Sequence, residues 1–193
     1  MSCLTPNRGE TRRAGSAFHQ SVNGEPMKRV FVVLAMGLGL FANASLAETK
    51  NPAPAPNGMT VPEGWKNWRL IAVSQRTENN TLRGILGNSV AIDAARAGKT
   101  NPWPEGAILA KINWKQKTSE TFPTAIVPAE LIHVDFMKKD IEKYASTGGW
   151  GWARWLGTEQ KVYDKGDVAA ECMGCHGMVK GQDYVFTHPA PLP

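Results

Sequence analysis

The sequence predicts an α+β fold: a mainly antiparallel β-sheet with peripheral helices and a C-terminal helix that carries a two-cysteine motif. Three observations lead there. Short runs rich in β-branched and aromatic residues alternate apolar and polar side chains with the period of a strand. Proline and glycine interrupt the chain too often for long amphipathic helices. Cys172-Met173-Gly174-Cys175-His176 ends the last helical segment, with only 17 residues after it.

Taken in order, residues 1–26 are polar and basic without hydrophobic period, and read as a misassigned upstream start. Met27-Lys28-Arg29, the apolar run Val30 to Phe41 and Asn43-Ala44-Ser45-Leu46-Ala47 have the form of a signal peptide. Residues 27–47 are therefore read as a cleaved export signal, which implies a periplasmic mature protein. The apolar run of 12 residues is too short to span a bilayer. Residues 48–62 hold Pro52, Pro54, Pro56 and Pro62, and read as a Pro-rich linker with no core of its own. Residues 63–193 suit one domain.

Within that domain, Trp65 to Arg76 reads as a strand, Glu78-Asn79-Asn80 as a turn and Thr81 to Leu86 as a second strand. Asn88 or Ser89 can cap a short helix over Val90 to Ala97, which Gly98 stops. After the stiff loop Asn101 to Gly106, Ala107 to Lys115 is a strand. Leu109, Lys111 and Asn113 share one of its faces; Ile108, Ala110, Ile112 and Trp114 share the other. Pro123 and Pro128 are expected to break the chain, and Glu130 to Met137 to form the next strand. Lys139 to Ala145 reads as a short helix ended by Gly148-Gly149, Trp150 to Leu156 as an aromatic strand, and Val168 to His176 as the last helix. The tail Pro189 to Pro193 is extended.

The formal charge of +5 shrinks to +2 once residues 1–47, with five basic and two acidic side chains, are set aside. A basic surface for nucleic acid is therefore not indicated. Cys3 goes with the same prefix, leaving Cys172 and Cys175 as the only cysteines, both inside C-x-x-C-H. That pattern is the attachment sequence for a c-type haem. Two thiols three positions apart lie near one face of a helical turn and reach two vinyl groups of one porphyrin. His176 then lies under the ring, aimed at the iron. A zinc site would need a second pair of ligands. A redox C-x-x-C would follow a first strand rather than stand at the C-terminus. The layout also excludes two common c-type designs. Small electron carriers place the motif near the N-terminus, and four-helix cytochromes need long helices.

The segments Glu105 to Lys111, Lys139 to Ala145, Cys172 to His176 and Asp183 to Thr187 resemble the cytochrome P-460 family, over essentially Trp65 to Pro193. The resemblance implies a mainly antiparallel sheet, one haem c per chain and a homodimer. It implies oxidation of hydroxylamine, with nitric oxide bound at a five-coordinate haem, and a soluble cytochrome as electron acceptor. The family's strand lysine, covalently bonded to the porphyrin edge, matches Lys111. Its pocket arginine and carboxylate match Arg83 and Asp135, although the family usually carries the longer acid at the second place.

Each of these residues also has a plain reading. Lys111 and Arg83 can be solvent-facing charges of a sheet, and Asp135 a paired strand acid. In the functional reading Asp135 is the base that takes protons from hydroxylamine, and Arg83 holds it ionised. His133 alternates with Asp135 and fits a hydrogen-bonded core residue. His188, Met137, Met173 and Met178 are candidate sixth ligands, and Trp150, Trp152 and Trp155 fit core and dimer-interface packing. Two other functions stand beside the enzyme: a nitric oxide- or carbon monoxide-binding protein of the beta-type cytochrome c-prime kind, with an apolar pocket, and a simple electron carrier with a sixth protein ligand.

Overall fold

The computed structural model describes residues 51–191. The expectations for residues 1–26 and 27–47 lie outside the described residues. Six strands form one antiparallel sheet in sequence order: β1 (Arg69–Arg76), β2 (Thr81–Gly87), β3 (Ile108–Thr118), β4 (Ile126–Lys139), β5 (Trp150–Leu156) and β6 (Lys161–Val162). Helix α1 (Ser89–Arg96) follows β2 and helix α2 (Val168–His176) follows β6. The α+β expectation holds, including the helix at the C-terminal end. Among the described residues no helix is long and apolar enough to cross a membrane.

Strand alternation divides the apolar residues between the two faces. On one face Ile85, Leu109, Met137, Trp150 and Trp152 form a cluster with Ala91 and Ile92 of α1, and α2 packs against it through Cys172 and Met173. On the other, Ala110, Val134, Phe136, Ala153 and Trp155 meet Trp65. Phe136 is met at close to right angles by Trp65 at 5.4 Å and by Trp155 at 5.6 Å. Lys111, Asp135 and Arg154 are cross-strand neighbours on the face that α2 covers.

Four expectations are corrected. Trp65–Asn67 is a 3-10 turn rather than the start of a strand, and the first strand begins at Arg69. Lys139 to Ala145 is not a helix. Lys139 ends β4, because its N–H donates to Ala107 O at 2.8 Å and its carbonyl accepts from Gly106 at 3.1 Å. Only a turn and a single 3-10 turn over Ala145–Thr147 fit before Gly148 and Gly149, both at positive φ. Pro128 does not break the chain. It lies inside β4, where that strand pairs with β3 alone, so a residue without an N–H loses no second ladder. The Pro-rich stretch is not a free tether either. Ala55 and Met59 are buried against the second cluster. Asn57 Nδ2 donates to Trp152 O at 2.9 Å, and Trp155 Nε1 donates to Ala53 O at 3.0 Å. The segment straps β5 from outside.

Candidate haem-binding site

Helix α2 is capped by Asp167, whose carboxylate accepts from the Ala170 N–H at 3.1 Å, and it runs to His176. Cys172 is half-buried and faces the sheet; Cys175 is exposed, and both thiols are free. Burial, joined by the charge of Asp135, pushes the Cys172 thiol up to about 11. It is thus protonated at neutral pH, unlike the low-pKa cysteine of a redox pair.

Beyond α2 a 3-10 turn over Gly177–Gln182 reverses the chain and brings the Tyr184 carbonyl 2.5 Å from His176 Nδ1. A carbonyl only accepts, so Nδ1 carries the proton and Nε2 keeps its lone pair for a metal. The imidazole is wedged between Trp152 at 5.9 Å and Phe186 at 5.1 Å. Burial lowers its pKa against the raising effect of the Tyr184 bond, which favours the neutral, ligating form.

The sheet register lays two polar rows across the face that α2 covers. One runs Lys111, Asp135, Arg154; the next runs Arg83, Asn113, His133. Asp135 is the hub. Lys111 Nζ lies 2.5 Å from Oδ2, Arg154 Nε donates to Oδ1 at 2.7 Å, and His133 Nε2 is 3.5 Å away. Burial raises the Asp135 pKa, but Lys111, Arg154 and His133 outweigh it and hold the carboxyl at about 2. For His133 burial dominates and pushes the imidazole down to about 4. The Arg154 pKa is raised, because its bond to Asp135 overcomes the opposing effect of burial.

The sequence reading paired Asp135 with Arg83; in the fold its partners are Arg154 and Lys111. Burial, followed by the charge of Arg76, lowers the Arg83 pKa, and its Nε is buried with no hydrogen-bond partner. Arg154 was missed. The available signal was a lone arginine alternating with Trp150 and Trp152 in β5, but only the register shows that it stands opposite Asp135. Trp150, Trp152 and Trp155 are buried within the single chain, so they are core residues and have no free surface for a dimer interface. Among the proposed sixth ligands, Met178 and His188 are exposed and Met137 is buried in the core.

The donor set suits a covalently attached haem: two sulfurs, one histidine with Nε2 available, and a polar wall beside them. Among the described residues, three buried polar atoms on the Lys111 face lack any partner, namely Arg83 Nε, Asn113 Oδ1 and Trp152 Nε1. Orphans of this kind are rare, and they collect where a ligand or prosthetic group supplies the missing bond. Among the described residues two open surface grooves are present, and the first is lined in part by Trp152. It is bounded by Ala55 to Asn57 and the start of α2, the second by β1, α1 and Pro189 to Pro191.

Comparison with known proteins yields one family match, to the model described as Cytochrome P460, over residues 62–187. No curated protein matches the sequence.

Proposed function

The chain belongs to the cytochrome P460 family and binds haem c, and from that premise we propose a periplasmic oxidoreductase that oxidises hydroxylamine and passes the electrons to a soluble cytochrome. Cys172 and Cys175 form the two thioethers, and His176 is the protein ligand to iron, through Nε2. Held by these three residues, the haem would supply an iron that binds a nitrogen ligand and a ring that conducts electrons.

The observation that carries this reading is the Lys111–Asp135 ion pair on the sheet face covered by α2. Lys111 is the residue that would bond the porphyrin edge, the C–N bond replacing one amine N–H and one ring C–H, with two electrons passing to an external oxidant. In the ion pair it is a cation, and of the groups that lower the Asp135 pKa it acts most strongly. Bonding to the ring takes that cation away from the carboxylate. Without that cation the depression of the Asp135 pKa would be weaker, which would favour its accepting a proton from substrate. Arg154 retains its bonds to both carboxylate oxygens, so the base stays aimed while it changes strength. Arg83, with Nε unsatisfied, is the donor that steadies the bound nitrogen species.

The polar rows support this reading over gas binding, which calls for an apolar wall. The exposure of Met178 and His188 supports it over a six-coordinate electron carrier. In a homodimer, the interface would come from side chains other than the three buried tryptophans of β5. Peptide mapping of the holoprotein tests the central claim. Lys111 should appear in the haem peptide with Cys172 and Cys175, and the ferrous Soret band should stand to the red of ordinary haem c. Lys111→Leu should abolish the red shift while both thioethers remain. Recovery of unmodified Lys111 from holoprotein would overturn the proposal in favour of gas binding.

A further inference from the structure

The Tyr184 carbonyl that orients His176 is itself held in an unusual place. Asp183 and Tyr184 both have left-handed backbones, φ 50° and 62°, a conformation that non-glycine residues adopt at a cost. Something must hold them there, and Asp183 shows what does. Its Oδ1 accepts from Lys139 Nζ at 2.6 Å, and its Oδ2 accepts from the Trp103 N–H at 2.8 Å. Its carbonyl accepts from Trp150 Nε1 at 2.9 Å. Lys139 is as buried as Asp183, donates a second bond to Gly148 O at 3.2 Å, and lies 5.0 Å from the Trp150 ring centroid.

We propose that the buried Lys139–Asp183 pair is a positioning device for the haem ligand: it locks the left-handed turn that aims the Tyr184 carbonyl at His176 Nδ1. The pair ties the end of β4 to a point seven residues beyond His176, across 44 positions of sequence. The Asp183 N–H donates to Lys180 O within the turn at 3.1 Å, but every bond to its side chain and carbonyl comes from elsewhere in the fold: the end of β4, the start of β5 and the loop before β3. The turn after α2 is therefore anchored to the sheet rather than to the helix it serves. A hydrogen bond to Nδ1 gives the imidazole anionic character, strengthens its bond to iron and lowers the reduction potential. The pair thus acts on the iron through two intermediaries, Tyr184 and His176. The inference rests on the reading of His176 as the iron ligand.

Resonance Raman spectra of the ferrous holoprotein, with a redox titration, provide the test. Lys139→Met with Asp183→Asn removes both charges together, leaving no buried ion without its partner. The iron–histidine stretch should fall in frequency and the potential should rise, with both thioethers intact. If that double variant does not fold, Trp150→Phe keeps both charges, removes the indole N–H on the Asp183 carbonyl together with part of a buried ring, and should shift both readouts less, in the same direction. Loss of stability with an unmoved iron–histidine band in a folded variant would reduce the pair to a structural brace and overturn the inference. Absence of any iron–histidine band in the parent would instead remove the assignment of His176.

Discussion

Replacing Asp135 with asparagine tests whether this carboxylate is the electrostatic centre of the sheet face. Its pKa of about 2, against 3.8 for the ordinary side chain, means that its neighbours favour the charged form by about 2 kcal/mol after burial has been overcome. Asparagine keeps the shape and one acceptor for Arg154 but forfeits that preference. Lys111 and Arg154 retain partial access to solvent, 29% and 24% of their side chains, so the charges left behind are hydrated at modest cost. In the haem-free protein, where Lys111 is still a free cation, the variant should lose about 2 kcal/mol at pH 7, or roughly 5–10 °C in Tm for a domain of this size. The sign of the pH dependence follows from a depressed folded pKa. The contribution is complete above 3.8 and is lost as pH falls toward 2, so parent and variant should converge there. Denaturant unfolding followed by circular dichroism at pH 7 and near pH 2 measures both numbers. Equal stabilities at pH 7, or a gap that persists unchanged at pH 2, would refute the ion-pair account.

His133, pushed down to about 4 by burial, is neutral in the fold at pH values where the unfolded chain already protonates. Stability should therefore decline as pH falls from about 6.5 to about 4, and a Tm series of His133→Gln should be flatter over that window. Gly148 has φ 70°, and a Cβ there would come within 2.2 Å of the Tyr184 ring, whereas Gly58, φ 78°, has open space around it. Gly148→Ala should cost about 2–4 kcal/mol and Gly58→Ala only the backbone share of about 1–2 kcal/mol, by urea unfolding; equal losses would deny the contact. Met59→Ala should cost about 2–5 kcal/mol if the Pro-rich strap belongs to the core. A linker would lose nothing.

The parts of the fold that were legible in the sequence are those where local pattern and tertiary role agree. The strand Trp150–Leu156 and the helix Val168–His176 match their expected bounds, the first from aromatic alternation and the second from the motif that ends it. Asn88 was likewise a readable cap for α1. Lys139 to Ala145 has helical composition, but the ladder bonds of Lys139 to Ala107 and Gly106 take precedence over propensity. Asp135 and Lys111 were found through family likeness, yet their mutual contact depends on β3–β4 register, which no single strand discloses. Arg154 and the Lys139–Asp183 pair were invisible for the same reason, since residues 19 and 44 positions apart meet only after folding. The proline strap was misread because its composition does describe its extended backbone. What composition omits is that two of its few apolar side chains meet Phe136 and Trp155.

That strap also bears on the order of assembly. Residues 53 to 59 are synthesised before any strand, yet their partners Trp152 and Trp155 lie 95 and 102 positions further on. Contacts of such long range close slowly, so the earliest part of this domain must stay unpaired while β1 to β4 hairpin onto one another in turn. Only when β5 is in place does the strap have a surface to seal. Helix α2 comes later still in the chain, and so does its haem. The outer face of the sheet can therefore be closed before the cofactor-bearing helix settles on the inner one, and a nascent chain halted before Trp152 would display Phe136 and Val134 uncovered.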